Sequence, residues 1–383
     1  MPKSPHLVVS ISGHGFGHVA QTAPILNLLH KRIPLLRLTV RSAVALSHLR
    51  SRIHAPFDHL QSNGDIGMVM SSALDIRIED SRAAYRTFHS DWDSKVAEEA
   101  SLLRHLGADA VFSNVGYLPL AGAQQAGIPN VALCSLNWAD IYRHCCGDDD
   151  IATQIRNCYA SANAFLRATP GMAMNDLPNL IPVAPIACVG INRRNELNHL
   201  LRLSTNEKLV LVSMGGIDSR LPIDRWPRID SVRWLVPNSW QVSHPDTIIL
   251  ESLSMSFSHV LASCDALLCK PGYGSFVEAA CSGTPVLYVN RANWPETQAM
   301  EDWLQQHGVC REISREQLEA GNFAEELTAL WLTPQPARVE PNGVEQVVNW
   351  LEHNFFALKA DKAQAKTAGC ESFCIHTQHL ESD

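Results

Sequence analysis

The sequence predicts an α/β protein built as two Rossmann-like, doubly wound parallel-sheet domains that face each other across a cleft. Three observations carry that prediction. A chain of 383 residues, at ~150 residues per domain, calls for two domains. Short β-branched apolar runs, flanked by Gly or Pro, have the pattern of strands buried on both faces of a parallel sheet. Those runs alternate with helical stretches, and the alternation starts over near Lys208.

Taken in order, Leu7–Ser12 (LVVSIS), Leu36–Arg41 (LRLTVR), Asp109–Ser113 (DAVFS) and Asn130–Cys134 (NVALC) are the strands of the first half. Helices are predicted at His18–His30, Asp91–Leu106, Gly116–Ala126 and Asp150–Ser161. Strand, helix and strand from Leu7 to Arg41 fill the ~30 residues of one βαβ unit. Four prolines in Pro170–Pro185 suit a linker. The second half has strands at Lys208–Met214, Arg233–Val236, Thr247–Leu250, Ala266–Cys269 and Pro285–Val289. Its helices are expected at Ser256–Ser263, Ser275–Ser282, Pro295–His307 and Ser314–Leu330, with a last amphipathic helix at Gly343–His353. The domains then fall at 1–185 and 186–340, followed by a C-terminal helix over 341–357. The polar tail, 358–383, is expected to be disordered.

Composition excludes several function classes. Lys plus Arg (31) against Asp plus Glu (39) gives a net charge of −8, which disfavours binding to nucleic acid or an anionic membrane. Hydrophobic residues at 46% and charged residues at 18% describe a globular chain. Eleven cysteines without a Cys-x-x-Cys pair suit reduced thiols, and no apolar run reaches the ~18 residues of a membrane span. The start of the chain lacks the pattern of a signal peptide. A soluble, cytoplasmic protein is expected.

In open α/β sheets, ligands sit beyond the carboxyl ends of the strands. The loop after the first strand is Gly13-His14-Gly15-Phe16-Gly17-His18. Its glycines let the backbone approach a ligand closely, and the next helix aims free N–H groups at it. It is no dinucleotide fingerprint: counted from Gly13, the Gly-x-Gly-x-x-Gly frame puts His18 at the last glycine, and the second strand ends at Arg41 instead of an acid. No P-loop is present either. An imidazole here could take a proton from a hydroxyl nucleophile; a plain tight turn with solvated or helix-capping histidines would read the same way. No carboxylate stands at ligand spacing from His14 and His18, so no metal site is expected.

Three further loops follow strands of the second half. Met214-Gly215-Gly216 leaves room above its strand. Lys270-Pro271-Gly272-Tyr273-Gly274-Ser275 exposes backbone amides at a helix start, a setting suited to phosphate. Ser275 with Glu278 has the spacing of a capping box, which from local pattern outweighs a role for the Glu278 carboxylate in accepting hydrogen bonds from two ribose hydroxyls. In Asn290–Gln298, Pro295 is placed to start a helix and Glu296 to favour its dipole, yet polar groups here would overhang the same cleft.

The order of these loops resembles the GT-B glycosyltransferases, in particular the MurG-like, family 28 branch. A closer likeness is to the glycosyltransferase-like N-terminal region of L-arabinokinase-type proteins, through Gly13–His18, Asp65-Ile66-Gly67, Asn137-Trp138-Ala139-Asp140-Ile141-Tyr142 and Lys270-x-Gly-Tyr-Gly-Ser. The likeness runs from about Leu7 to His353. It implies a UDP-linked or similar nucleotide-sugar donor and a hydroxyl acceptor as partners, and no cofactor beyond that co-substrate. Glu278 would hold the ribose, and the amides of Gly272, Tyr273, Gly274 and Ser275 the diphosphate. Gly215 and Gly216 would line the donor, while Glu296 and Gln298 would contact the transferred sugar. His18 is the first choice of general base and His14 the second. Gly15, Phe16, Gly17, Asn137, Trp138 and Asp140 would face the acceptor. Relatives often read Ser-Asp-Val where this chain reads Ser113-Asn114-Val115. The expected activity is inverting, metal-independent, hexosyltransferase-type sugar transfer; a catalytically silent nucleotide-sugar sensor and a sugar-nucleotide epimerase are the alternatives.

Overall fold

The structure, a computed structural model, describes residues 4–356 apart from Asp218 and Ala292. The first lobe holds β1 (His6–Ile11), β2 (Arg37–Arg41), β3 (Asp58–Leu60), β4 (Ala110–Asn114), β5 (Asn130–Cys134), β6 (Phe165–Ala168) and β7 (Leu180–Val183). They pair in parallel in the order β3-β2-β1-β4-β5-β6-β7. β1 shows why its apolar residues Leu7, Val8 and Val9 are consecutive. Leu7, Val9 and Ile11 enter one core, whereas Val8 packs with Leu103, Val111 and Ala123 in another. Successive side chains go to opposite faces, and both faces are covered.

The second lobe holds β8 (Lys208–Ser213), β9 (Val232–Val236), β10 (Thr247–Ile249), β11 (Ala266–Cys269), β12 (Val286–Val289) and β13 (Cys310–Ile313), in the parallel order β10-β9-β8-β11-β12-β13. Each sheet reverses its winding once, between β1 and β4 and between β8 and β11. At such a switch point the following loops diverge and leave a crevice. The predicted glycine-rich loops leave from β1, β8 and β11, so topology puts them at the two crevices.

Several expectations need correcting. Pro170–Pro185 is only partly a linker, because it contains β7. Pro182 is tolerated there since β7 is the outer strand, and its missing N–H falls where no neighbour needs it. The helix expected over Ser314–Leu330 is two helices, Arg315–Ala320 and Ala324–Leu332, separated at Gly321 with φ 70°. The expected capping box of Ser275 and Glu278 is absent. That helix starts at Tyr273 behind an extended Gly272, so Ser275 sits inside its first turn. The tail 358–383 lies outside the described residues.

The chain crosses between lobes twice. After β7 it passes through Ala184–Arg193, and at its end it returns in the helix Gly343–Leu351, which packs beside the first-lobe helix Gly17–Arg32. Val347, Val348 and Leu351 are buried there. Arg32 reaches Glu345, Asn349 (2.6 Å) and Glu352 (3.0 Å). These exposed polar contacts orient the helix more than they stabilise it. The two crossings are hydrogen-bonded to each other, Gly343 N to Pro185 O at 3.0 Å and Ala184 N to Gln346 Oε1 at 2.7 Å. A Cβ on Gly343 would lie 2.0 Å from the Ala184 carbonyl oxygen. Gly343→Ala is therefore expected to destabilise the protein by about 1–3 kcal/mol, as overpacking against backbone does; denaturant unfolding of the variant checks it.

Candidate functional site

The loops of both lobes enclose a cleft of about 960 Å³. His14, Gly15, Phe16, Gly17 and His18 line it from one side, and Gly215, Gly216, Gly272–Ser275, Glu278 and Glu296 from the other. Two glycines let the lobes meet. A Cβ on Gly216 would sit 2.5 Å from the Phe16 ring, and one on Gly274 would sit 2.9 Å from Ala20 Cβ. Phe16 is further stacked on His48, with ring centroids 3.6 Å apart. Tyr273 lines the cleft, but its hydroxyl accepts from Ile186 N (2.9 Å) and donates to Thr169 O (3.0 Å), which anchors the loop to the first crossing segment.

His18 and Gln21 share a face of the helix Gly17–Arg32, three residues apart, and both are buried. His18 Nδ1 lies 2.9 Å from Asn114 Oδ1, at the end of β4. The bonds continue from Asn114 Nδ2 to Gln21 Oε1 (3.0 Å), from Gln21 Nε2 to Ser135 Oγ (2.8 Å), and from Ser135 Oγ to Glu296 Oε1 (2.6 Å). Trp294 Nε1 donates to the other oxygen, Oε2, at 3.1 Å. A row of buried polar groups thus runs from the imidazole in one lobe to a carboxylate in the other. Burial lowers the His18 pKa to about 4, against the partial support of Asn114. The ring is neutral at physiological pH, and Nε2 has no hydrogen-bond partner among the described residues.

His14 stacks on Trp294 (centroids 5.4 Å apart, 3° between planes) and meets Trp138 edge-on at 5.1 Å. Its Nε2 is buried without a partner. Burial first, then the charges of Arg291, His18 and Lys270, hold its pKa well below the usual imidazole range.

On the other side, the helix Tyr273–Ser282 begins with no side-chain cap. Its first N–H groups have no partner within the helix and point at the cleft. Lys270 lies beside Gly215, makes no hydrogen bond or ion pair with the described residues, and has its pKa lowered by burial to about 8. Arg291, 3% exposed, stands over Trp294 at 3.7 Å from the ring centroid, touches Met70 Sδ, and leaves Nε unpaired. Burial lowers its pKa to about 10. Glu278, 2% exposed, pairs across the lobes with Arg52, while burial raises its pKa.

Four expected positions, Gln298, Asn137, Asp140 and Trp138, do not line this cleft. Gln298 is exposed and bonds to Asp302 along the outside of its helix (2.7 Å), because that helix starts only at Thr297 and turns the side chain away. Asn137 caps the helix Trp138–Cys146, accepting from Asp140 N (2.8 Å) and donating to the Asp140 carboxylate (2.7 Å). Asp140 is thereby committed to the cap and to Arg143. Trp138 is fully buried, a wall behind His14 and His18. Conversely, Gln21, Ser135, Arg52, Lys270 and Arg291 are not among the expected site residues, and Asn114 enters there only as a departure from the relatives' Asp. The available signal was polarity where the pattern demands apolar residues: Gln21 in the buried face of a helix, and Asn114 and Ser135 at the ends of buried strands.

No family model matches the chain. Its fold is that of the GT-B glycosyltransferases. It is similar to the glycosyltransferase of kitacinnamycin (TM-score 0.57, 14% identity, 92% of this chain and 100% of that one). It is equally similar to the calicheamicin glycosyltransferase CalG4 (TM-score 0.56, 14% identity, 95% and 98%). A Listeria monocytogenes structure described as a UDP-N-acetylglucosamine 2-epimerase also shares the fold (TM-score 0.53, 9% identity, 92% and 97%). Among curated proteins, the chain is similar to L-arabinokinase of Arabidopsis thaliana, at 22% identity over 342 residues, which cover 84% of this chain and 32% of that protein. The chain spans about a third of the length of that relative. No helix among the described residues is long and apolar enough to cross a membrane. The described cysteines are free thiols.

Proposed function

We propose that this protein is a glycosyltransferase that moves a sugar from a nucleoside diphosphate, UDP foremost, to a hydroxyl acceptor, with inversion and without a metal ion. One observation carries the proposal: a neutral, hydrogen-bonded imidazole on one lobe faces an uncapped helix N-terminus and an unpaired Lys270 on the other, across one cleft. His18 Nε2 would take the acceptor's proton as its oxygen attacks the anomeric carbon. The departing diphosphate would carry its charge onto the amides of Gly272–Ser275 and onto Lys270. Closure against Phe16 and Gly216 would exclude water and align the reactants. Glu278 would accept the ribose hydroxyls, sharing or displacing Arg52.

Release of UDP from UDP-sugars with a hydroxyl acceptor tests the reaction, and product analysis separates transfer from epimerisation. Glu278→Ala is expected to weaken UDP binding by about tenfold to a hundredfold, as loss of hydrogen bonds to a charged group does; equal affinity in calorimetry would remove the ribose role. A silent nucleotide-sugar sensor is the second reading, favoured by Asn114, which orients His18 but brings it no negative charge. Binding without turnover supports it.

A further inference from the structure

The row of hydrogen bonds from His18 to Glu296 has a direction, and the carboxylate sets it. An ionised Glu296 only accepts. Ser135 must therefore spend its proton on Glu296 and accept from the Gln21 amide nitrogen. That turns Gln21 Oε1 toward the amide nitrogen of Asn114, and Asn114 Oδ1 toward His18. The imidazole must then carry its proton on Nδ1, which leaves a lone pair on Nε2. Trp294, donating to Glu296 Oε2, keeps the carboxylate in place. Burial raises the Glu296 pKa, while the hydrogen bonds from Ser135 and Trp294 and the charges of Arg291 and Lys270 favour its charged form. Of all these links, only the one from Ser135 to Glu296 (2.6 Å) joins one lobe to the other.

We propose that Glu296 is a positioning residue that selects the His18 tautomer through Ser135, Gln21 and Asn114, so that the base is armed only when the lobes are closed. This deepens the transferase reading and rests on it for its catalytic meaning, but the tautomer itself is independent of any substrate. It also gives Glu296 a task other than touching the transferred sugar, since both its oxygens are already engaged.

Glu296→Gln tests this with almost no change in shape. The new amide must face its oxygen to Trp294 Nε1–H and its nitrogen to Ser135. Ser135 then donates to Gln21, both amides reverse, and Asn114 presents Nδ2–H to the ring. His18 must shift its proton to Nε2. Nitrogen-15 NMR of the histidine-labelled full chain, with His18 assigned by its loss in His18→Gln, is expected to show Nδ1–H in the wild type and Nε2–H in Glu296→Gln. Glu296→Asp, still a carboxylate, is expected to keep Nδ1–H. UDP affinity is expected to stay within about twofold, while kcat falls about a hundredfold, the scale of a lost general base. An unchanged tautomer in Glu296→Gln overturns the proposal whatever the activity. A switched tautomer without turnover in the wild type upholds the relay and removes the transferase reading instead. If Glu296→Gln does not fold, Ser135→Ala breaks the row at one hydroxyl and is expected to give a mixture of tautomers; a pure Nδ1–H signal there overturns the proposal equally.

Discussion

His18→Gln is expected to lower kcat by about 10²–10⁴-fold, the range for removal of a general base, with the affinity for UDP nearly unchanged. Glutamine can keep the bond to Asn114 and fill most of the ring's volume, so the loss isolates proton transfer from packing. The wild-type pH profile carries a second, sharper expectation. Burial holds the His18 pKa at about 4, so the ring becomes charged, and useless as a base, only as pH falls through that value. Protonation of His18 itself should therefore place no limb in the activity profile above about 4, and an acid limb nearer neutrality would belong to Glu296, whose pKa burial raises. UDP release at saturating donor, followed across this range, checks both parts. A steep acid limb near neutrality that persists in Glu296→Gln and disappears in His18→Gln would contradict the buried, neutral base.

Lys270→Met should weaken UDP binding by about 1.5–3 kcal/mol, roughly 10- to 150-fold, the worth of a hydrogen bond between charged groups. Methionine preserves the apolar stem and removes only the charge. The lysine is cationic below its pKa of about 8 and neutral above it. Affinity for the diphosphate should therefore fall as pH rises through that value. Because a bound anion favours the charged form, binding in that range should also draw a proton from solvent. Calorimetry in buffers of different ionisation enthalpy measures this uptake directly, and it should vanish in Lys270→Met. Equal UDP affinity in the two proteins would place the diphosphate elsewhere.

The central strands were readable in the sequence because burial on both faces leaves largely apolar runs such as Leu7–Ile11, interrupted only by Ser10, and Ala266–Cys269. Three outer strands were not, nor was the interior β6, whereas the outer β10 was. β13 (Cys-Arg-Glu-Ile) exposes the consecutive Arg311 and Glu312, β7 contains Pro182, and β3 is three residues long. Each is defined by its neighbour and not by its own composition. The glycine-rich loops stood out because close approach of backbone to backbone, or to a ligand, admits little else. Gly216 against Phe16 is the plainest case. The polar row behind His18 was hidden for a different reason. Asn114, Gln21, Ser135 and Glu296 come from four separate segments, and only the tertiary fold makes them neighbours. Asn137 and Asp140 illustrate the converse ambiguity, forming a helix cap in the structure, since a helix cap and a ligand contact draw on the same residue types.

The two crossings between the lobes lie side by side, tied through Gly343–Pro185 and Ala184–Gln346. Two chain crossings tied side by side would favour rotation of the lobes about their common line over other relative motions. Residues beside that line would travel little, while those at the far lip would sweep the widest arc. On that hinge, opening of the cleft would reduce to a change in a single angle, and whatever fixes the angle would govern the access of water to the cleft.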